Sequence, residues 1–235
     1  DFDGNGKFEA VVTNYSLGGS DFNGSQLVAT LAATAGEALK VRAVSILPSE
    51  LVGPMARAPK DGLADRLLAV TTHNGSENKI VTLGGDPLSI LRTIEAPLVR
   101  KVVGVADVDA DGQLDIVAMA STSLWGVSTA AVLDYQSGAV KWVDSEQITD
   151  IAVAQLDADP ALELITTGWP LRVLDGLTHA IEWSDPGGDY AEQVLVGQFQ
   201  GSPSAMGFAM VGYGSVQVFR AQPYAPTVEF WVDGQ

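Results

Sequence analysis

The sequence predicts an all-β fold, specifically a β-propeller of four-stranded blades with about five repeats in 235 residues. Three observations predict it. Short β-type runs alternate with Gly, Pro, Asn and Asp turns along the whole chain. An acidic nine-residue motif stands between two such runs at residues 107–115 and opens the chain at residues 1–9. The motif's closing position and the apolar run after it recur as Glu9-Ala-Val-Val, Asp65-Arg-Leu-Leu, Asp115-Ile-Val-Ala, Glu163-Leu-Ile-Thr and, without the acid, Met206-Gly-Phe-Ala, at intervals of roughly 56, 50, 48 and 43 residues. That period is one propeller blade.

The repeats span approximately 1–50, 51–98, 99–146, 147–188 and 189–235 of one domain. In the first, residues 8–15 and 26–33 read as strands, and 34–46 holds another despite an Ala-rich stretch that tolerates a helical turn. In the second, 66–72, 79–83 and 90–94 are clear, with an Asn74-Gly75 hairpin turn. Residues 51–60 are a poor first strand because Pro54 and Pro59 cannot donate to a ladder. The third repeat gives 101–108, 115–120, 130–135 and 140–143, the fourth 148–156, 162–167, 171–174 and 180–183, and the last 193–199, 207–212, 216–219 and 228–232. The first residue is Asp and not Met, which reads as a mature form, a proteolytic product or a cut piece, and because the first repeat starts in its loop the chain reads as about five blades of a longer propeller or an open arc whose edges another segment covers.

The motif's spacing is that of a calcium loop. Hard divalent ions take six to eight oxygens, so a loop must present several carboxylates inward while turning tightly at a glycine. In Asp107-Val-Asp-Ala-Asp-Gly-Gln-Leu-Asp the expected ligands are the side chains of Asp107, Asp109, Asp111 and Asp115 and the Gln113 carbonyl. In the first copy they are Asp1, Asp3, Asn5 and Glu9 with the Lys7 carbonyl. Calcium is the only cofactor expected on these grounds.

Composition narrows the function. A formal charge of −16 opposes nucleic acid and anionic membranes as partners, and two bound calcium ions would cancel a quarter of it. Membrane insertion is not expected, because no apolar run reaches a span's length. With no cysteine there is no disulfide framework, thiolate nucleophile or Cys-ligated zinc. The two histidines, His73 and His179, fall in different repeats beside turns, where they read as solvent-exposed. No phosphate loop, Gly-x-Ser-x-Gly elbow or zinc signature occurs. Asn14, Asn23 and Asn74 begin Asn-x-Ser sequons but do not choose a source.

At these loops the sequence resembles the FG-GAP/VCBS propellers, the repeat class of integrin α subunits and many secreted or surface-anchored bacterial proteins. Only residues 1–9 and 107–115 fit the Asp-x-Asp-x-(Asp/Asn)-Gly-x-x-(Asp/Glu) pattern in full. Residues 155–163 keep Asp157, Asp159 and Glu163 but start with Gln155 and replace the glycine. Residues 57–65 keep Asp61, Gly62 and Asp65, with Arg57 or Lys60 as stand-ins for the cation, and 198–206 keep no acid. A quinoprotein-like echo, a Trp about nine residues after a Leu-Asp pair, ends at Trp142 and Trp183 and reads as blade packing. The resemblance implies a calcium-binding, non-catalytic scaffold of a secreted or cell-surface protein, binding a protein or glycan in adhesion or assembly. The alternatives are the propeller part of a polysaccharide-acting lyase or hydrolase, with catalytic residues on another domain or in the central funnel, and, more remotely, a quinone-cofactor propeller.

Overall fold

A computed structural model describes residues 9–13, 26–32, 40–47, 50–61, 64–72, 78–85, 87–121, 127–185, 191–198, 206–212 and 215–220. Every regular element among them is a strand. No described helix is long and apolar enough to cross a membrane. The chain divides into two compact units, Asp1–Val105 and Ala106–Gln235.

In the first unit, β1 (Glu9–Thr13), β2 (Gln26–Ala32) and β3 (Lys40–Leu47) form an antiparallel sheet in sequence order. β3 covers the later part of the expected 34–46 strand, and the Ala-rich stretch at 33–39 lies outside the described residues. A second sheet holds β4 (Glu50–Asp61), β5 (Ala64–Thr72), β6 (Lys79–Gly84) and β7 (Ser89–Glu95). Here the weak first strand forms after all. Its register against β5 breaks between Val52 and Ala56 and between Ala58 and Asp61, which brackets Pro54 and Pro59 and lets the prolines fall where no ladder bond is made. Arg57 and Lys60 therefore lie within a strand of a close hairpin, with Asp61 opposite Ala64, and not in an ion loop. Ala69, Val81, Leu83 and Leu88 form a core cluster under this sheet, flanked by Met55, Leu67 and Ile90.

β8 (Val99–Ala106) carries the chain toward the second unit. There β9 (Asp115–Ser121), β10 (Ser128–Asp134) and β11 (Val140–Val143) follow as an antiparallel meander, then β12 (Ile148–Ala154), β13 (Glu163–Gly168), β14 (Arg172–Leu174) and β15 (Ile181–Ser184) as another. A bridge between Ser128 and Ile148 joins the two into one sheet. β16 (Ala191–Gly197), β17 (Gly207–Gly212) and β18 (Ser215–Arg220) make a separate three-stranded sheet. Among the described residues no sheet closes on itself. The expected strand at 228–232 lies outside them.

The fourth and fifth repeats pack face to face. Ile165, Leu171 and Val173 from one sheet and Val194, Phe208, Met210 and Phe219 from the other are all buried in one core cluster. Trp183 closes it, its ring 6.3 Å from Phe208 and 5.5 Å from Phe219, so this tryptophan packs between sheets as its position predicts. At the other edge Thr149 Oγ1 donates to the Ala191 carbonyl (2.5 Å) and the Val194 N–H donates to Asp150 Oδ2 (3.2 Å), tying β12 to β16.

The same irregularity recurs in four repeats. Where the last two strands pair, the register skips one residue: Leu31 faces Val41 while Thr30 faces Ala43, Leu83 faces Ile90 while Thr82 faces Arg92, Leu133 faces Val140 while Val132 faces Trp142, and Leu174 faces Ile181 while Val173 faces Trp183. The skipped residues are Arg42, Leu91, Lys141 and Glu182. A bulge leaves one residue unpaired and re-aims its side chain.

Gly176, in the β14–β15 turn, is where three segments meet. A Cβ there would stand 2.2 Å from the Leu162 carbonyl oxygen and 2.5 Å from that of Val108, both backbone atoms that cannot swing aside. Gly176→Ala is expected to lower stability by about 1–3 kcal/mol through overpacking, whereas Gly104→Ala, with nothing within 4 Å, is not. Urea denaturation midpoints of the two variants check this.

Candidate cation loops

Residues 107–114 connect β8 to β9 and turn back on themselves through Ala110 (φ 56°) and Gly112 (φ 83°). The glycine occupies the sixth position for the expected reason, because a left-handed φ is strained for a residue with a Cβ. Asx-type bonds set the carboxylates. The Gly112 N–H donates to Asp107 Oδ2 (3.0 Å), the Asp111 N–H to Asp109 Oδ1 (3.3 Å) and the Gln113 N–H to Asp111 Oδ1 (2.7 Å). Each bond uses one oxygen and leaves the other free to face a cation.

The closing acid lies deepest. Asp115, the first residue of β9, is fully buried, and its Oδ2 accepts the Val108 N–H at 3.2 Å. Burial raises its pKa, against the lowering effect of Lys141 and the Val108 N–H. Oxygens of Asp107, Asp109 and Asp115 lie within 4.8 Å of one another. Two ligands on a single calcium ion at 2.3–2.6 Å can be at most about 5 Å apart, so one ion can reach all three. Asp107 Oδ1 is buried and accepts no hydrogen bond.

The structure places a positive charge at this convergence. Lys141, the bulged residue of β11, sets its Nζ 2.9 Å from Asp109 Oδ2, 3.0 Å from Asp111 Oδ2 and 2.9 Å from Asp115 Oδ1. Burial alone would lower the lysine's pKa, but the three carboxylates outweigh it and hold the ammonium above the ordinary range. Asp111 is lowered in turn, first by Lys141 and then by the Gln113 N–H.

Of the ten residues expected to ligate calcium, Asp107, Asp109 and Asp115 are thus brought together directly, and Asp111 joins them through Lys141. Gln113 sits in the exposed loop between Asp111 and Asp115. Asp1, Asp3, Asn5 and Lys7 lie outside the described residues, while Glu9 opens β1 with its side chain undescribed. His73 and the sequons Asn14, Asn23 and Asn74 also lie outside. His179 departs from expectation: it is half-buried, has φ 58° and stacks on Trp142 with ring centroids 4.4 Å apart. It fills the left-handed turn position that Gly138 takes one repeat earlier, and the Trp142 face shelters its ring. Lys141 was not found by motif reading. Its signal was the basic residue directly before the repeated Trp, which the loop pattern alone does not include.

No protein-family model and no curated protein matches the sequence. Among solved structures, the chain is similar to a crystal structure of rhamnogalacturonan lyase YesW, with a TM-score of 0.53 and 15% identity over 93% of this chain and 43% of that one. At that identity the likeness concerns fold, and the chain spans less than half of the lyase's length.

Replacing Lys141 by Gln removes the ammonium and leaves the loop carboxylates to repel one another. Lys141→Gln is expected to melt at a lower temperature than the parent without calcium and to gain more from added calcium. Scanning calorimetry with chelator and with ~1 mM calcium reads both effects.

Proposed function

We propose that this chain is part of a calcium-braced β-propeller of the FG-GAP/VCBS kind, a non-catalytic scaffold of a secreted or cell-surface protein that offers its loops to a protein or glycan partner. One observation carries the reading: three carboxylates of the 107–115 loop converge closely enough for a single ion, around a point that already attracts a cation. Four acids against one lysine leave the loop negative, so a divalent ion entering it displaces the ammonium outward instead of meeting a neutral site. The ligands are then Asp107, Asp109, Asp111 and Asp115 with the Gln113 carbonyl, and Asp1, Asp3, Asn5, Lys7 and Glu9 supply the same set in the first repeat.

The propeller arrangement is supported by four-stranded meanders repeated in register, by the face-to-face core between the fourth and fifth repeats, and by the β12–β16 contacts, which bring the first strands of successive repeats together. The calcium affinity expected of extracellular modules is about 10⁻⁴ to 10⁻³ M. At ~1 mM calcium the tighter limit contributes about 1.4 kcal/mol per site, enough to order a blade.

A second reading is favoured by the similarity to a rhamnogalacturonan lyase: the chain is the propeller portion of a protein acting on polysaccharide, with the reacting groups in other segments. The two separate on one assay. Incubation with pectic polysaccharides is expected to give retention without cleavage under the scaffold reading, and cleavage products overturn it.

For the metal itself, ~1 mM calcium is expected to raise the melting temperature by about 3–6 °C per occupied site in a chain of this size. The double variant Asp109→Asn, Asp111→Asn is expected to lose one site's share of that gain.

A further inference from the structure

The loop at residues 155–162 repeats the geometry of 107–114 without its sequence. The Leu156 N–H donates to Glu163 Oε2 as Val108 does to Asp115, the Asp159 N–H donates to Asp157 Oδ1 (2.9 Å) and the Ala161 N–H to Asp159 Oδ1 (2.8 Å). The two loops are also bonded to each other, the Leu162 N–H donating to the Val108 carbonyl at 2.9 Å. Pro160 stands in place of Gly112, so the bond made by the Gly112 N–H has no counterpart, and two further differences alter the charge. Gln155 stands where Asp107 does, and its Nε2 donates to the carbonyls of Asp159 (2.6 Å) and Asp157 (3.4 Å), bracing the loop from a neutral group. Glu182 stands where Lys141 does, at the bulge of β15.

The exchange inverts the charge. A carboxylate oxygen of Glu182 lies within 4.8 Å of those of Asp157 and Glu163, and also forms a second such group with Asp159 and Asp175. None of Asp157, Asp159, Glu163 and Glu182 has an ion-pair partner among the described residues. The independent sign of a missing ligand is Glu163. It is 1% exposed, one oxygen is held by Leu156, and Oε1 is buried with no hydrogen-bond partner. A buried carboxylate oxygen without a donor is costly unless a cation or proton meets it.

We propose that Asp157, Glu163 and Glu182, with Asp159 beside them, form a divalent-cation site in which the bulged Glu182 replaces the ligand lost at Gln155. An all-oxygen, carboxylate-rich set selects a hard ion, calcium before magnesium because the ligands come from a loop and a neighbouring strand and not from an octahedral cage. The bulge residue accordingly decides what each loop holds. Lysine gives the 107–115 loop a tethered ammonium that calcium must displace, glutamate leaves the 155–163 loop open to the metal, and Leu91 occupies the bulge of the repeat that has a close hairpin in place of an ion loop.

Calorimetric titration of the whole chain with calcium, then with magnesium, tests this. Glu182→Gln is expected to remove one binding event or weaken it at least tenfold, and Glu182→Lys to remove it while keeping or raising the melting temperature in chelator, which separates loss of a ligand from misfolding. The double variant Asp109→Asn, Asp111→Asn is expected to keep this event, so the failure of one loop is distinguishable from that of the other. Unchanged calcium stoichiometry and affinity in both Glu182 variants would overturn the proposal, as would a fall in the chelator melting temperature of Glu182→Lys with calcium binding intact.

Discussion

The third and fourth repeats depend on a buried carboxylate at the head of their second strand. Asp115 and Glu163 are both essentially inaccessible to solvent, and each accepts the backbone N–H of the residue seven positions earlier. That bond fixes where the loop re-enters the sheet, and it also takes a negative charge out of water. A charge so placed must be met by another group or be protonated. The Asx-type bonds and the convergence of the loop aspartates serve this requirement, and the bulge shared by four repeats supplies the side chain that meets it in the third and fourth.

The bulge is the structural device that meets it. A regular antiparallel pair would send alternate residues of β11 and β15 to opposite faces and leave none free to approach the loop. Skipping one residue between Val140 and Trp142, and again between Ile181 and Trp183, frees Lys141 and Glu182 while returning each tryptophan to the packing face. The adjoining turns are built alike. The Ser137 and Thr178 N–H groups donate to Asp134 Oδ1 (2.5 Å) and Asp175 Oδ1 (2.6 Å), so bulge, turn and loop form one unit repeated in both hairpins. The buried pair Arg172–Asp144, with 2.5 Å between its charged atoms, then ties the start of β14 to the segment after β11.

Much of this was legible in the sequence because it rests on local rules. The strands of the third and fourth repeats follow from alternation and turn residues, and the 107–115 ligand set from carboxylate spacing around Gly112. What was not legible depends on pairing across strands. The 50–61 strand tolerates Pro54 and Pro59 because its register breaks there, a fact held in β5 and not in the segment itself. Likewise Lys141 and Glu182 lie 26 and 19 residues beyond the closing acids they approach, and only the skipped register brings them back. His179 read as exposed because the ring of Trp142, which covers it, comes from the preceding hairpin.

The central claim is that these acidic loops are cation sites whose occupant is set by the bulged residue. An anomalous difference map from crystals grown with calcium tests it most directly. The account predicts one peak among Asp157, Glu163 and Glu182, and another among Asp107, Asp109 and Asp115 with the Lys141 side chain turned outward. Density showing Lys141 still on its three carboxylates and no ion beside Glu182 would contradict it.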